Sequence, residues 1–489
     1  MINHERLRDR RALVAIDLGA ESCRVSLLRW RGEQPEIQLI HRLPNGPEQI
    51  GQSLHWPLDR ILSGIDEGLR KAATAGPEGI RSIAVDGWAV DYVRLDTNGH
   101  PIYAPYCYRD ERTTIAKSAA DTLVSPESFF AQTGAQPLRI NTAYQLFADN
   151  HAGVTPHTPW SLLPEFVLIW LGGRRVAEYT NATHTGLVDL ETGDWSRSIF
   201  KKLGLAIESA PPIVPPGTTV GKLNGPLSEL PAFSDTELIV PACHDTASAI
   251  AAINVDPVSG MEHTAYIVSG TWSLVGTIVA TPITSRVAQY AGFTNQGAAA
   301  GGYCFHTNVN GMWLLKQCMD HWNAQGRRVD LPVLINQAEH ITDLPGLINV
   351  DAPELLLAGE MPARINRELA TEGIAAIPDT PGNEAVFARL IFASLAARYA
   401  SVLKNLESLT GRSFSQITIL GGGSRNSLLT RLTQESTGLP VICGEAEGST
   451  LGNFAVQLAA LDSAGESSGP LSPVLIRKWA VRLATCRSL

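Results

Sequence analysis

The sequence predicts an α/β fold, and three observations carry that expectation. Apolar runs of strand length alternate with segments whose apolar residues recur at helical spacing. A strand, turn and strand near the amino terminus reappear in the second half, which suggests that the halves are built alike. At 489 residues the chain exceeds one ordinary core, so more than one domain is expected.

Taken in order, ALVAIDLGAESCRVSLLRW (12–30) reads as a hairpin, because an apolar run stops at Asp17-Leu18-Gly19 and β-type residues resume at Arg24. Leu58, Ile61, Leu62, Ile65 and Leu69 then fall on one helical face. A strand ending at Asp86, another over 90–95 and a turn at 97–99 follow. The proline-rich 210–221 segment reads as a connector, since proline fixes φ and cannot donate to a ladder. IVPACHDTASAIAAI (239–253) passes from a β-branched run into an alanine-rich helix, with His244 and Asp245 at the join. Asp245 or Thr246 there can cap the helix, or the carboxylate can serve chemistry.

The second hairpin spans 263–279, and a long helix over 384–410 closes at Gly411. A strand (QITIL), the turn Gly421-Gly422-Gly423, another helix, the short strand LPVIC and a last amphipathic helix complete the pattern.

Composition is that of a globular protein, 44% hydrophobic and 18% charged. A net charge of -9 without a Lys/Arg cluster argues against nucleic acid. No run of membrane-spanning length and no signal peptide is read, so a cytoplasmic setting is expected. The seven cysteines, Cys486 included, lie apart without metal-ligand spacing and are expected as free thiols.

Three glycine turns stand at strand ends: Gly19 to Ser22, Ser269-Gly270-Thr271 and Gly421 to Gly423. Such turns allow close backbone approach and present N–H groups to phosphate. None fits the P-loop or the dinucleotide fingerprint.

The order of these turns, with His244-Asp245-Thr246 between the halves, resembles the actin-like (ribonuclease H-like) ATPases and, among them, the FGGY carbohydrate kinases. Segments DLGA (17–20), DGWAVD (86–91), YRDERT (108–113), NTAYQL (141–146), EYTNAT (178–183), HDTASA (244–249), SGTWSL (269–274) and STLGN (449–453) are most similar to the rhamnulokinase branch. The resemblance implies two actin-like domains, 1–250 on the sugar side and 251–489 on the nucleotide side, with the active site in the cleft between them. It implies ATP-dependent phosphorylation of a ketose at C1, L-rhamnulose by preference, by a monomer or homodimer that uses Mg²⁺.

Carried over residue by residue, the resemblance makes Asp245 the general base, as in-line phosphoryl transfer requires. His244, Thr246, Ala89 and Asn308 become sugar contacts. Trp88 can face a deoxy-sugar methyl or belong to the core. Ala20, Glu21, Ser22, Cys23 and Arg24 form the first phosphate hairpin and Thr271 the second; Lys316 lies near ATP, Gly421 and Gly422 on the adenine side. Asp17 would hold Mg²⁺ through water, or simply end a strand. The sequence departs from the branch at Glu21 and Cys23, where Ser and Gly are expected. Lys316 stands for Gln, Gly87 for Thr and Ala89 for Gly.

Other readings are a different FGGY kinase acting on L-fuculose, L-xylulose or a related ketose, a noncatalytic actin-like sugar sensor or polymer-forming scaffold, and a glycoside hydrolase using Asp86/Asp91 or Asp110/Glu111.

Overall fold

The computed structural model describes residues 9–254, 260–463 and 471–484. Its frame is two six-stranded sheets. The first contains β1 (Ala12–Leu18), β2 (Ser22–Arg31), β3 (Gln34–Pro44), β4 (Ile80–Gly87), β5 (Thr219–Lys222) and β6 (Glu237–Ile239), in the order β5-β6-β4-β1-β2-β3. β1, β2 and β3 are antiparallel neighbours, whereas β4 runs parallel to β1. A parallel neighbour needs a crossover, and helix α1 (Leu58–Ala75) lies within it, burying Ile61, Ile65 and Leu69.

The second sheet contains β7 (Thr264–Ser269), β8 (Trp272–Val279), β9 (Phe293–Gly297), β10 (Tyr303–Asn310), β11 (Gln416–Leu420) and β12 (Val441–Cys443), in the order β9-β10-β8-β7-β11-β12. Again an antiparallel hairpin has a parallel strand, β11, on the outer side of its first member. The repeat read from the sequence is therefore a repeat of topology.

Strand alternation gives each sheet two buried faces. Val14, Ile16 and Leu18 enter an outer core that also holds Ile61 and Leu69, while Leu13 and Ala15 point the other way. Helices α2 (Asp245–Ala251) and α4 (Gly448–Ser463) lie between the sheets. On one side Ala247, Ala251, Phe454 and Leu458 pack with Leu13 and Ala15, together with Ile476 and Trp479 of α5 (Pro473–Ala484). On the other, Ala249 and Ile250 pack with Tyr266, Cys304 and Leu420. The small side chains of α2 permit this double contact.

α3 (Glu384–Thr410) ends at Gly411, whose φ of 66° suits glycine. Contrary to the sequence reading, this helix has the length and composition to cross a membrane, yet 61% of its most apolar window is buried in the protein. Phe387, Leu390, Ile391 and Leu395 fill the outer core of the second sheet. The strand expected over 90–95 shortens to Tyr92–Arg94, and the 210–221 connector contributes Ile213–Val214 and the start of β5. Six cysteines are free thiols; Cys486 lies outside the described residues.

Candidate active site

Three carboxylates converge where the first sheet meets α2. Asp17, 2% exposed, and Asp86, fully buried, are registered neighbours near the ends of β1 and β4. Both lie on the sheet face opposite Ile16 and Val85, and hence toward the inter-sheet helices. Asp245 opens α2, with its side chain 35% exposed.

Burial, and then repulsion from Asp17, raise the Asp245 carboxyl to about 7, against which the Thr246 hydroxyl bond acts. Asp86 is pushed well above the usual range, first by burial and then by Asp17. Arg24 and the Ser449 hydroxyl donate to Asp17 Oδ2, the guanidinium at 2.8 Å, and Arg24 also pairs with Glu447.

Neither Asp245 nor Thr246 caps the helix. The cap position is His244, and no side chain there accepts from the first turn. Asp245 Oδ1 instead accepts the Thr246 hydroxyl at 3.1 Å and lies 3.3 Å from His244 Nε2. The carboxylate thus remains turned toward the junction.

The turn that carries Asp245 is held by a segment whose role sequence reasoning missed. Buried Glu178 accepts the Cys243 N–H at 2.8 Å as well as the N–H groups of Thr180 and Asn181, and Thr180 Oγ1 accepts the His244 N–H at 3.4 Å. Gly87 N–H donates to the Cys243 carbonyl, extending β4 to the same turn. A Cβ on Gly87 would sit 2.7 Å from Leu18 Cβ, so a threonine at this position does not fit here without movement. The EYTNAT resemblance was the available signal.

Ala89 is half-buried beside this turn, and the next residue, Val90, has φ 72°. That conformation is strained for a β-branched residue. Thr142 Oγ1 and Gln145 Nε2 hold it through the Val90 carbonyl, at 2.7 and 3.3 Å. Trp88 is a core residue, 7% exposed, with its ring 4.3 Å from that of Trp56. Both indoles donate to Asp91, which burial pushes up to about 6. Asp91 is therefore a structural hub, and Asp110 accepts the Leu54 and Arg112 N–H groups in a similar way. No free carboxylate pair is left there for glycoside cleavage.

The hairpin and loop residues separate by side-chain direction. Cys23 faces the core, its thiol raised to about 12 chiefly by burial, so a ligand contact from this position belongs to its main chain. Ala20 and Ser22 are half-buried. Glu21 points at the second hairpin, where its Oε1 accepts the Thr271 hydroxyl at 3.3 Å. Gly421, with φ 78°, and Gly423 pack on Ser269; a Cβ on either would come within 2.7 and 2.1 Å of it. Gly422 faces open space. Asn308 is exposed on the β10 face shared by His306, whereas Lys316 pairs with Asp320 at 2.7 Å on the exposed side of helix Trp313–Ala324.

Because a carboxylate beside a triphosphate opposes binding, Glu21→Ser is expected to lower the KM for ATP by about 5-fold, from a screened charge pair worth roughly 1 kcal/mol. An unchanged KM in steady-state assays would remove this role for Glu21.

For a divalent cation the donor set is suitable: Asp86 Oδ1 is buried without a hydrogen-bond partner, and the nearby carboxylates repel one another. Among the described residues, no cluster of three His, Cys, Asp or Glu is placed to grip a metal directly.

Two family models cover most of the chain. The N-terminal domain of the FGGY family of carbohydrate kinases matches residues 12–252, and its C-terminal domain matches residues 265–461. The chain belongs to the FGGY family of carbohydrate kinases. Solved structures of the same fold include gluconate kinase from Lactobacillus acidophilus, at 16% identity and TM-score 0.74, covering 96% of this chain and 92% of that one. Xylulose kinase from the same organism matches at 17% identity and TM-score 0.74, with the same coverage. Plasmodium falciparum glycerol kinase with ADP matches at 13% identity and TM-score 0.70, covering 95% and 92%. This FGGY kinase is accordingly a two-domain α/β protein of the actin-like class that transfers phosphate from ATP to a sugar.

Beside Asp245 lie three buried histidines, its neighbour His244 among them. His244 and His306 are each depressed to about 3 by burial, and His184 well below its ordinary value for the same reason. A depressed histidine stabilises the fold above its unfolded value of about 6.5, and that stability is lost as pH falls toward the folded value. The raised carboxyls titrate in the opposite sense, so the histidine contribution is read as a difference. Relative to wild type, the destabilisation of His306→Phe in urea should shrink by about 1.4 kcal/mol per pH unit between pH 6.5 and 4. A pH-independent difference would show that His306 is not held neutral.

Proposed function

We propose that this FGGY kinase phosphorylates the C1 hydroxyl of a ketose, L-rhamnulose to L-rhamnulose 1-phosphate in L-rhamnose catabolism, as a cytoplasmic monomer or homodimer. The observation that carries the chemistry is Asp245: a partly exposed carboxylate at the domain junction, raised to about 7, next to two further carboxylates. A general base works best with a pKa near the working pH. The rhamnulose assignment rests on the order of the branch-like segments from DLGA to STLGN.

In this reading residues 1–250 supply the sugar side and 251–489 the nucleotide side. Asp245 takes the proton from the C1 hydroxyl as its oxygen attacks the γ-phosphoryl group. His244, Thr246, Ala89 and Asn308 place the sugar; Trp88 acts from the core behind them. Main-chain N–H groups of residues 20–24, Thr271 with its hydroxyl, and Lys316 face the phosphates, and Gly421 and Gly422 leave room for adenine. Asp17, with Asp86, would hold Mg²⁺ through water, and that ion supplies neutralisation of phosphate charge. Closure of the cleft excludes water.

The test is sugar-dependent ADP release from Mg-ATP with L-rhamnulose, L-fuculose, L-xylulose, gluconate and glycerol. The highest kcat/KM with L-rhamnulose supports the assignment. A different preferred ketose would retain the chemistry and point to Gly87 and Ala89, and no stimulation by any sugar would favour a noncatalytic sensor.

A further inference from the structure

We propose that His184 is a further sugar-contacting residue, its Nε2–H held as a hydrogen-bond donor toward a substrate oxygen next to the one that Asp245 deprotonates. The proposal deepens the ketose-kinase reading and rests on it.

His184 is 7% exposed, and its ring centroid lies 3.8 Å from that of His244, the residue in contact with Asp245. Its Nδ1 is already engaged: the Gln296 amide nitrogen donates to it at 2.7 Å. The Gln296 carbonyl oxygen accepts from His306 Nε2 at 2.7 Å, and His306 Nδ1 accepts the Tyr266 hydroxyl at 2.9 Å. With each ring neutral and the Gln296 amide oriented as it is, the chain has one polarity, Tyr266 to His306 to Gln296 to His184, and each of its three links joins a hydrogen to an acceptor. The proton of His184 is thereby fixed on Nε2.

That atom is the end of the chain, buried and without a hydrogen-bond partner among the described residues. A buried donor left unmade is costly, whereas one that meets a ligand oxygen contributes to discrimination. Tyr266, His306 and Gln296 belong to the second sheet, while His184 and His244 belong to the first half. The nucleotide-side half thus sets the hydrogen-bonding character of a residue on the sugar side. Gln296, His306 and Tyr266 are positioning residues in this arrangement, since none of them is placed against substrate.

The proposal is tested with His184→Phe, which keeps a ring against His244, and Gln296→Glu. A glutamate accepts from both imidazoles, moves the His184 proton to Nδ1 and turns Nε2 into an acceptor. Both variants should raise the sugar KM and lower kcat/KM for the parent ketose by about 30- to 100-fold, with the KM for ATP unchanged. Both should also lose the wild-type penalty against the ketose lacking one particular hydroxyl. In wild type, ¹⁵N spectra should show His184 protonated at Nε2, with that nitrogen shifting on addition of ketose and not of ATP alone. Retained discrimination against every monodeoxy ketose in both variants would overturn the proposal. So would a His184 nitrogen indifferent to ketose, a result readable even without turnover. Failure of all sugars to stimulate wild-type ADP release, by contrast, would overturn the kinase reading itself.

Discussion

Asp245→Asn should lower kcat by about 10³-fold, within the range that general-base catalysis supplies, while leaving the KM for ATP near its wild-type value. Asparagine keeps the size and the contacts to Thr246 and His244 but cannot take a proton. In wild type, kcat/KM should climb with pH along a limb centred near 7, where burial and Asp17 place the carboxyl. The limb should vanish in the variant.

A second readout separates catalysis from folding. A carboxyl whose folded pKa is raised contributes stability below its unfolded value of about 4, and that contribution is lost as pH rises through the folded value. Asp245→Asn should therefore be the more stable protein at pH 8.5, with the advantage gone near pH 4. Its partial exposure screens the effect, so a gain of about 1 kcal/mol, or roughly 2 °C in Tm, is expected. A variant that keeps wild-type kcat would end the assignment of Asp245 as base; one that is inactive but less stable at pH 8.5 would show that its role is structural.

The elements were legible where pattern and chemistry agreed. The hairpin at 12–30, the helix from Leu58 and the helix closed by Gly411 need only periodicity and a turn residue to be seen. The junction carboxylate was visible because its segment changes character at His244. Less visible was everything held by contacts distant in sequence. Glu178 reaches Cys243 across 65 positions and Gln296 reaches His184 across 112, and neither glutamate nor glutamine declares a buried role by its type. The strain at Val90 was equally hidden, because φ of a β-branched residue is expected to be negative and only the carbonyl bonds from Thr142 and Gln145 hold it otherwise. Trp88 shows the converse: its aromatic face suggested sugar, but its indole N–H bonds Asp91 within the core.

Gly452→Ala should be the most destabilising single methyl in the protein's centre. A Cβ at this position would lie 1.7 Å from the Ser248 carbonyl oxygen, a backbone atom of α2, so α4 and α2 must separate to admit it. Overpacking that moves main chain, rather than a flexible side chain, lies at the high end of mutational effects, about 3–5 kcal/mol. The neighbouring Gly448→Ala is the control, since its Cβ would meet Ala249 at an ordinary 3.4 Å, and helix propensity there opposes any loss. The damage at Gly452 should also reach the chemistry. Ser248 donates its N–H to the His244 carbonyl, one turn from Asp245, and Asn453 donates to Asp86 at 2.6 Å. Displacing α4 therefore moves Asp245 and loosens the buried Asp86 together. Folded Gly452→Ala, examined below its lowered melting midpoint, should show kcat reduced by about 10-fold or more, as expected for a misplaced catalytic group. Equal thermal midpoints for Gly452→Ala and Gly448→Ala would refute the close crossing of the two helices, and with it the path by which α4 positions the site.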